Sequence, residues 1–264
     1  MISLAQGSPK KPRFPTLEGK KLVVFDLDGT LAPSKQMMPP GMAVLMSKLL
    51  SRIKVAIISG GGYPQFESEL LRSLPPGDID LSNLLLLPTS GTRLLVWKGS
   101  WTEVYNERLP EQERKRLVAA FGEALKLGGY HEPEKIYGPL IEDRGSQITF
   151  SGLGQSAPLD LKEAWDPKHE KRERIAEILR RKLPEFDVRV GGTTSIDVTR
   201  RGINKAYGIH KLEQYLSIPI AEMIFVGDAL FFGGNDYPAK STGVDCIQVT
   251  GPMETQSLVE SWLV

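Results

Sequence analysis

Short, mostly apolar runs punctuate the sequence, and three of the four halt at acidic or small residues. Residues 22–25 (LVVF) stop at Asp26, residues 54–58 (KVAII) at Ser59-Gly60, and residues 222–226 (EMIFV) at Gly227-Asp228; residues 84–87 are all leucine. A strand that is apolar at every position must be buried on both faces, as in a parallel sheet covered by helices. Stretches with apolar residues at helical spacing separate the runs: 41–52, 64–73 with proline in its first turn, 204–215 and 254–263. Residues 244–249 read as a last strand. The alternation predicts an α/β domain built on a parallel sheet.

The middle of the chain reads differently. Residues 93–98 alternate, Gly99-Ser100 follow, and 101–105 continue, which predicts a hairpin. Residues 110–127 and 166–183 read as charged helices, the second with Asp166 as N-cap and Pro167 at its first position. Residues 147–151 and 186–190 read as strands with one polar face. The expectation is an α+β module at 91–195 inserted into an α/β core made of 18–90 and 196–264. Residues 1–17, with three prolines and three basic residues (Lys10, Lys11, Arg13), read as a disordered, solvated lead-in.

The 264 residues suffice for a domain with an insertion. A net charge of +1 argues against a broad surface for nucleic acid or membrane. No apolar run approaches the ~18 residues of a membrane span, and residues 1–17 lack an apolar signal core. The single cysteine, Cys246, excludes an intrachain disulfide and fits a reducing, cytoplasmic setting. His131, His169 and His210 lack ligand spacing, which argues against zinc. A homodimer through the inserted module is a further expectation.

The first run ends in Asp26-Leu27-Asp28-Gly29-Thr30. Ligands of open α/β sheets bind at the carboxyl ends of strands, where both aspartates fall. Two close carboxylates repel unless a cation lies between them, and oxygen ligands suit Mg2+. Gly29 lets the chain turn and aim backbone amides at a phosphate, and Thr30 adds a hydroxyl donor. The alternative is an Asp-Gly hairpin. That would need an alternating strand after Gly29, whereas the sequence continues TLAPSKQ and reaches Pro39-Pro40.

These residues resemble the Asp-x-Asp-Gly-Thr motif of the haloacid dehalogenase (HAD) superfamily of phosphatases and phosphomutases. The resemblance implies a Rossmann-like HAD core with an inserted α+β cap domain. It also implies that Asp26 attacks phosphorus to form an aspartyl phosphate and that Asp28 serves as general acid and base. Ser59 and Gly60 are similar to the family's phosphate-bonding second motif. Lys205, in Gly202-Ile203-Asn204-Lys205, is similar to the lysine that balances phosphate and aspartate charge. Residues 225–236 (FVGDALFFGGND) are similar to the fourth motif. The implied Mg2+ ligands are Asp26, the Asp28 carbonyl and Asp228. Asp236 would support the metal through water, and Asn235 would touch phosphate or orient Asp26.

The insertion lies between the second and third motifs, as in HAD members with a IIB-type cap. Among these the chain most resembles eukaryotic-type phosphomannomutases over roughly residues 20–255, through 26–36, 141–145 (IEDRG), 191–198 (GGTTSIDV) and 233–236. The resemblance implies substrate contacts from Arg144, Ser195 and Asp197; Gly29 and Thr30, from the turn read above, and Gly60 of the second motif are expected to join them. Lys35 and Gln155 stand where that family carries arginines. A mutase must grip a second phosphate with its cap while a sugar bisphosphate turns around in the site, and a cap with fewer arginines grips less tightly. The first expectation is therefore a magnesium-dependent phosphatase of a small metabolite, a sugar phosphate; the alternative is a phosphomannomutase-like sugar phosphomutase. A non-catalytic binding module would lack a nucleophile or metal ligand, and Asp26, Asp28, Lys205 and Asp228 are all present.

Overall fold

The computed structural model describes residues 14–77 and 79–264, so Lys10, Lys11 and Arg13 lie outside the described residues. The strands in chain order are β1 (Leu22–Asp26), β2 (Lys54–Ile58), β3 (Leu84–Leu87), β4 (Arg93–Trp97), β5 (Trp101–Asn106), β6 (Ile141–Asp143), β7 (Gln147–Ser151), β8 (Phe186–Gly191), β9 (Ser195–Arg200), β10 (Met223–Gly227) and β11 (Asp245–Gln248). The α-helices are α1 (Pro40–Leu50), α2 (Tyr63–Gln65), α3 (Glu111–Leu127), α4 (Leu159–Trp165), α5 (Glu170–Lys182), α6 (Lys205–Leu216) and α7 (Pro252–Leu263). No helix is long and apolar enough to cross a membrane among the described residues.

The larger sheet has the order β11-β10-β1-β2-β3-β4-β5. Its strands β11, β10, β1, β2 and β3 are parallel. Alternate residues face opposite sides of a strand, and both sides are covered. Val23, Phe25, Val55, Ile57, Ile224 and Val226 pack with Met42 and Met46 of α1 and Leu258 and Trp262 of α7. Leu22, Val24, Ala56, Ile58 and Phe225 pack with Ile209 and Leu212 of α6. That two-sided cover is why the runs are apolar throughout. Each fully buried Leu, Ile or Phe in these layers contributes about 1.5–3 kcal/mol of transfer free energy.

The smaller sheet is antiparallel, in the order β6-β7-β9-β8. Its apolar face, with Ile148, Phe150, Ile196 and Val198, packs on Phe121 of α3 and Ile175 and Leu179 of α5. The intervening residues Gln147, Thr149, Ser151, Ser195 and Asp197 therefore share the opposite, polar face.

Two boundaries differ from the sequence reading. The β4–β5 hairpin extends the larger sheet, with Leu85 opposite Val96 and Leu86 opposite Leu95, rather than joining the inserted module. Leu94 and Val96 pack on one side of that sheet and Leu95 on the other, so β4 is buried on both faces rather than half exposed. Conversely β9, assigned to the core from residue 196 onward, pairs with β7 and β8 in the smaller sheet. Residues 14–17, read as part of a disordered lead-in, are held on the core. Phe14 and Leu17 pack against it, and Trp262 Nε1 donates to the Pro15 carbonyl at 2.8 Å.

Two helices are also revised. The stretch 64–73 is a single α turn followed by a π-turn over Phe66–Leu70 and a 3-10 turn over Leu71–Ser73. The second charged helix begins at Glu170, after His169 in a left-handed conformation (φ 61°). Asp166 still serves its first turn, accepting from the backbone N–H groups of Lys171 and Arg172 and from Arg172 Nε at 2.9 Å. α4, which the sequence reading left unassigned, precedes it.

Candidate active site

The chain runs from β1 outward to β2 and β3, and later returns to place β10 on the other side of β1. Such a reversal opens a crevice at the carboxyl ends of the strands. Asp26 closes β1 and Asp228 follows β10, so both face this crevice. By strand parity Asp26 belongs with Leu22 and Val24, on the face that α6 covers. Asn204 caps α6 by accepting from Tyr207 N at 3.2 Å, and Lys205 is its first residue. Lys205 Nζ donates to the Asp26 carboxylate and, at 2.5 Å, to the Ile58 carbonyl.

Asp228 is set by the opening motif. Gly29 has φ 80°, and a Cβ there would lie 2.6 Å from Asp228 Oδ2, so both the turn and the close approach require glycine. Thr30 is fully buried. Its Oγ1 accepts from Asp228 N at 3.1 Å and donates to Asp228 Oδ1 at 3.4 Å. The hydroxyl expected to meet substrate therefore orients Asp228. Asp236 is also fully buried, and its Oδ2 accepts from Ala229 N at 3.1 Å.

Oxygen atoms of Asp26, Asp228 and Asp236 lie within 4.8 Å of one another. Asp236, expected to act at one remove, is thus in the cluster itself. The Asp28 carboxylate is not in this group. Asn235 is exposed and makes no hydrogen bond to Asp26 among the described residues. Among the described residues, Asp26 Oδ2 and Asp236 Oδ1 are buried without a hydrogen-bond partner. Lys205 Nζ, 3.3 Å from Asp236 Oδ1, supplies charge there without hydrogen-bond alignment.

Burial, then the charge of Asp236, pushes the Asp26 carboxyl well above its usual range despite Lys205. The same two causes raise Asp228. Burial acts to lower the Lys205 ammonium, but Asp26 and Asp236 outweigh it and hold the group raised. One ammonium cannot neutralise three clustered carboxylates. The donor set and its orphaned oxygens fit a hard divalent cation such as Mg2+.

Beyond Asp26 the crevice is lined from both sheets. Ser59, at the end of β2, is buried and its Oγ accepts from Gly61 N at 3.0 Å. Asp28 accepts from Lys35 N at 2.7 Å and from Gln65 Nε2 at 2.6 Å. The Gly60 carbonyl accepts from Arg144 Nη1 (2.9 Å) and Gln147 Nε2 (3.1 Å), so the inserted module docks on the second motif. Arg144 also forks onto Glu142. Asp197 Oδ1 accepts from Gln147 Nε2 and Thr149 Oγ1. Ser195 is buried on the same polar face.

Lys35 Nζ donates to Gln155 Oε1 at 3.2 Å, and Lys162 Nζ to the Gln155 carbonyl at 2.9 Å. Gln155 Nε2 is buried without a partner among the described residues. Burial, and then the Arg144 charge, lowers the Lys35 ammonium. Burial, and then Lys35, lowers Lys162 to about 8.

Lys162, Gln65 and Glu69 were absent from the sequence reading. The available signal for Lys162 was its shared helical face with Leu159 and Trp165.

The family model described as "Eukaryotic phosphomannomutase" matches residues 104–264, more than half of the chain. The chain is similar to human "Phosphomannomutase 1", with 28% identity over 90% of this chain and 87% of the relative. Its fold is similar to that of a Plasmodium falciparum IMP-nucleotidase (TM-score 0.69, 19% identity, 93% of this chain and 71% of the other). It is likewise similar to a haloacid dehalogenase-like hydrolase from Bacteroides thetaiotaomicron (TM-score 0.59, 15% identity, 92% and 99%). The crevice with its clustered carboxylates and buried lysine, the HAD-type fold and the matched residues together place the chain in the eukaryotic phosphomannomutase family of HAD phosphoryl-transfer enzymes.

Proposed function

We propose that this enzyme is a magnesium-dependent phosphomutase interconverting the 1- and 6-phosphates of a hexose, with mannose as the first candidate. The observation that carries this reading is the buried Lys162. It and Lys35 both donate to Gln155, and with Arg144 they put three basic side chains about the cleft, where a second phosphate would need charge. The sequence favoured a phosphatase because arginines were missing from the cap; Lys162 restores a charge there, and family membership supports the mutase.

Asp26, Asp228 and Asp236 would hold Mg2+, which when bound supplies positive charge to the phosphoryl oxygens and keeps Asp26 ionised. Asp26 attacks phosphorus in line through an oxygen that no protein donor occupies. Ser59 accepts from Gly61, which leaves its O–H to donate to a phosphoryl oxygen. Lys205 offsets the charge of Asp26 as its bond to phosphorus forms. Asp28 protonates the leaving sugar oxygen and later takes a proton from the other hydroxyl. The Arg144 and Gln147 contacts to Gly60 keep the cap seated and exclude water, which would otherwise hydrolyse the aspartyl phosphate.

Incubation with mannose 1-phosphate, Mg2+ and a hexose bisphosphate activator tests the reading. Mannose 6-phosphate as the main product supports it; free phosphate as the main product restores the phosphatase.

The same cleft predicts a pH dependence. Lys162 is charged below about 8 and neutral above it. Glu69 is pushed up to about 8 by burial and by Asp28, so it gains negative charge over the same range. Both changes oppose phosphate binding as pH rises. KM for the sugar phosphate should climb about tenfold through this range, and Lys162→Arg should shift that climb to higher pH. A flat KM in the wild type would remove Lys162 from phosphate binding.

A further inference from the structure

Gln65 ends the α turn of α2, and Glu69 lies in the π-turn that follows. Gln65 Nε2 donates to Asp28 Oδ2 at 2.6 Å and to Glu69 Oε2 at 3.0 Å, which uses both of its hydrogens. The other Asp28 oxygen is held by Lys35 N at 2.7 Å. The Asp28 carboxylate is therefore fixed at both ends. We infer that Gln65, anchored by Glu69, is a positioning residue that sets the Asp28 carboxylate in the orientation from which it protonates the leaving sugar oxygen.

The surroundings are built for this contact. A Cβ at Gly61 would lie 1.7 Å from Gln65 Oε1, so the second motif must carry glycine there for Gln65 to reach Asp28. The π-turn replaces a regular helix at this point, a feature that recurs at functional sites. Glu69 is 6% exposed, and its backbone carbonyl is pinned by Met38 N at 2.7 Å and Ser73 Oγ at 2.9 Å. Burial and the Asp28 charge keep the Glu69 carboxyl protonated at neutral pH, so it anchors the amide without adding a second negative charge.

This inference rests on the proposed phosphoryl transfer, and its test separates the two. In the first half-reaction the Asp26 oxygen–phosphorus bond forms, the phosphorus–sugar oxygen bond breaks, and the Asp28 proton passes to the sugar oxygen. With p-nitrophenyl phosphate the leaving p-nitrophenolate needs no proton. Enzyme phosphorylation by a hexose 1,6-bisphosphate and by p-nitrophenyl phosphate is measured with Mg2+ in rapid mixing, for wild type, Gln65→Met, Glu69→Ala and Glu69→Gln. Loss of orientation should lower the sugar-to-aryl rate ratio roughly 30-fold or more in Gln65→Met and Glu69→Ala. KM for the sugar should stay within about threefold, since an acid that acts only in the transition state contributes little to ground-state binding. Glu69→Gln, whose amide still accepts from Gln65, should recover most of the ratio. An equal fall with both substrates, or no fall, overturns the inference while leaving the function intact. Should Gln65→Met not fold, the two Glu69 variants decide alone. Absence of phosphorylation in the wild type would overturn the function, and the inference with it.

Discussion

Asp26→Asn should lower turnover of the sugar phosphate by roughly four orders of magnitude or more, the scale of losing a covalent nucleophile. The variant should still fold. Asp26 is desolvated and repelled by Asp236, so its charge is costly to keep in the folded chain. The amide is neutral and nearly isosteric. Lys205 keeps the Ile58 carbonyl and the nearby Asp236 as partners. Circular dichroism and thermal unfolding should therefore match the wild type within a few degrees while product formation disappears. Residual activity within tenfold of wild type would remove Asp26 from the chemistry.

Asp236→Asn should produce the second largest effect, with opposite signs in two measurements. Three carboxylates within 4.8 Å share one ammonium. In metal-free protein they repel, so removing one charge should raise the unfolding temperature. The asparagine carbonyl can still accept from Ala229 N, as Asp236 Oδ2 does. In Mg2+ the order should reverse. A cation at one hundred times its dissociation constant stabilises the wild type by about 2.7 kcal/mol, and the variant should lose most of that gain together with most of its turnover. Unfolding curves with EDTA and with Mg2+ check both signs. An Mg2+-induced stabilisation unchanged from wild type would place Asp236 outside the metal site.

The parts of this arrangement that the sequence made legible are those fixed by local pattern. Runs such as 22–25 and 54–58 could only be strands buried on both faces, and the polar residues that stop them had to fall at one edge of the sheet. The convergence of Asp26 and Asp228 follows from that edge, whereas Lys205, which opens α6, was placed there only by the resemblance. What escaped depends on contacts distant along the chain. Lys162 sits in LKEAW, a stretch the sequence reading left unassigned; in the fold it is buried on α4, with its Nζ donating to the Gln155 carbonyl. Gln65 and Glu69 have ordinary helical spacing, and only the π-turn and the bare Gly61 reveal their task. Asp236 was expected to support the metal through water; its direct place in the cluster escaped because it lies eight positions beyond Asp228, across a glycine-rich loop whose path no local rule fixes. The β4–β5 hairpin alternates weakly, and its assignment turned on which sheet β3 would accept as a neighbour.

The central claim is that the phosphoryl group passes through the carboxylate at the end of β1. Enzyme mixed with substrate and Mg2+, acid-quenched within milliseconds and digested under acid, can be mapped by mass spectrometry. The peptide containing Asp26 should carry one added phosphoryl group, and the label should be absent in Asp26→Asn. A phosphoryl group on another side chain, or turnover with no labelled peptide at any quench time, would contradict the account.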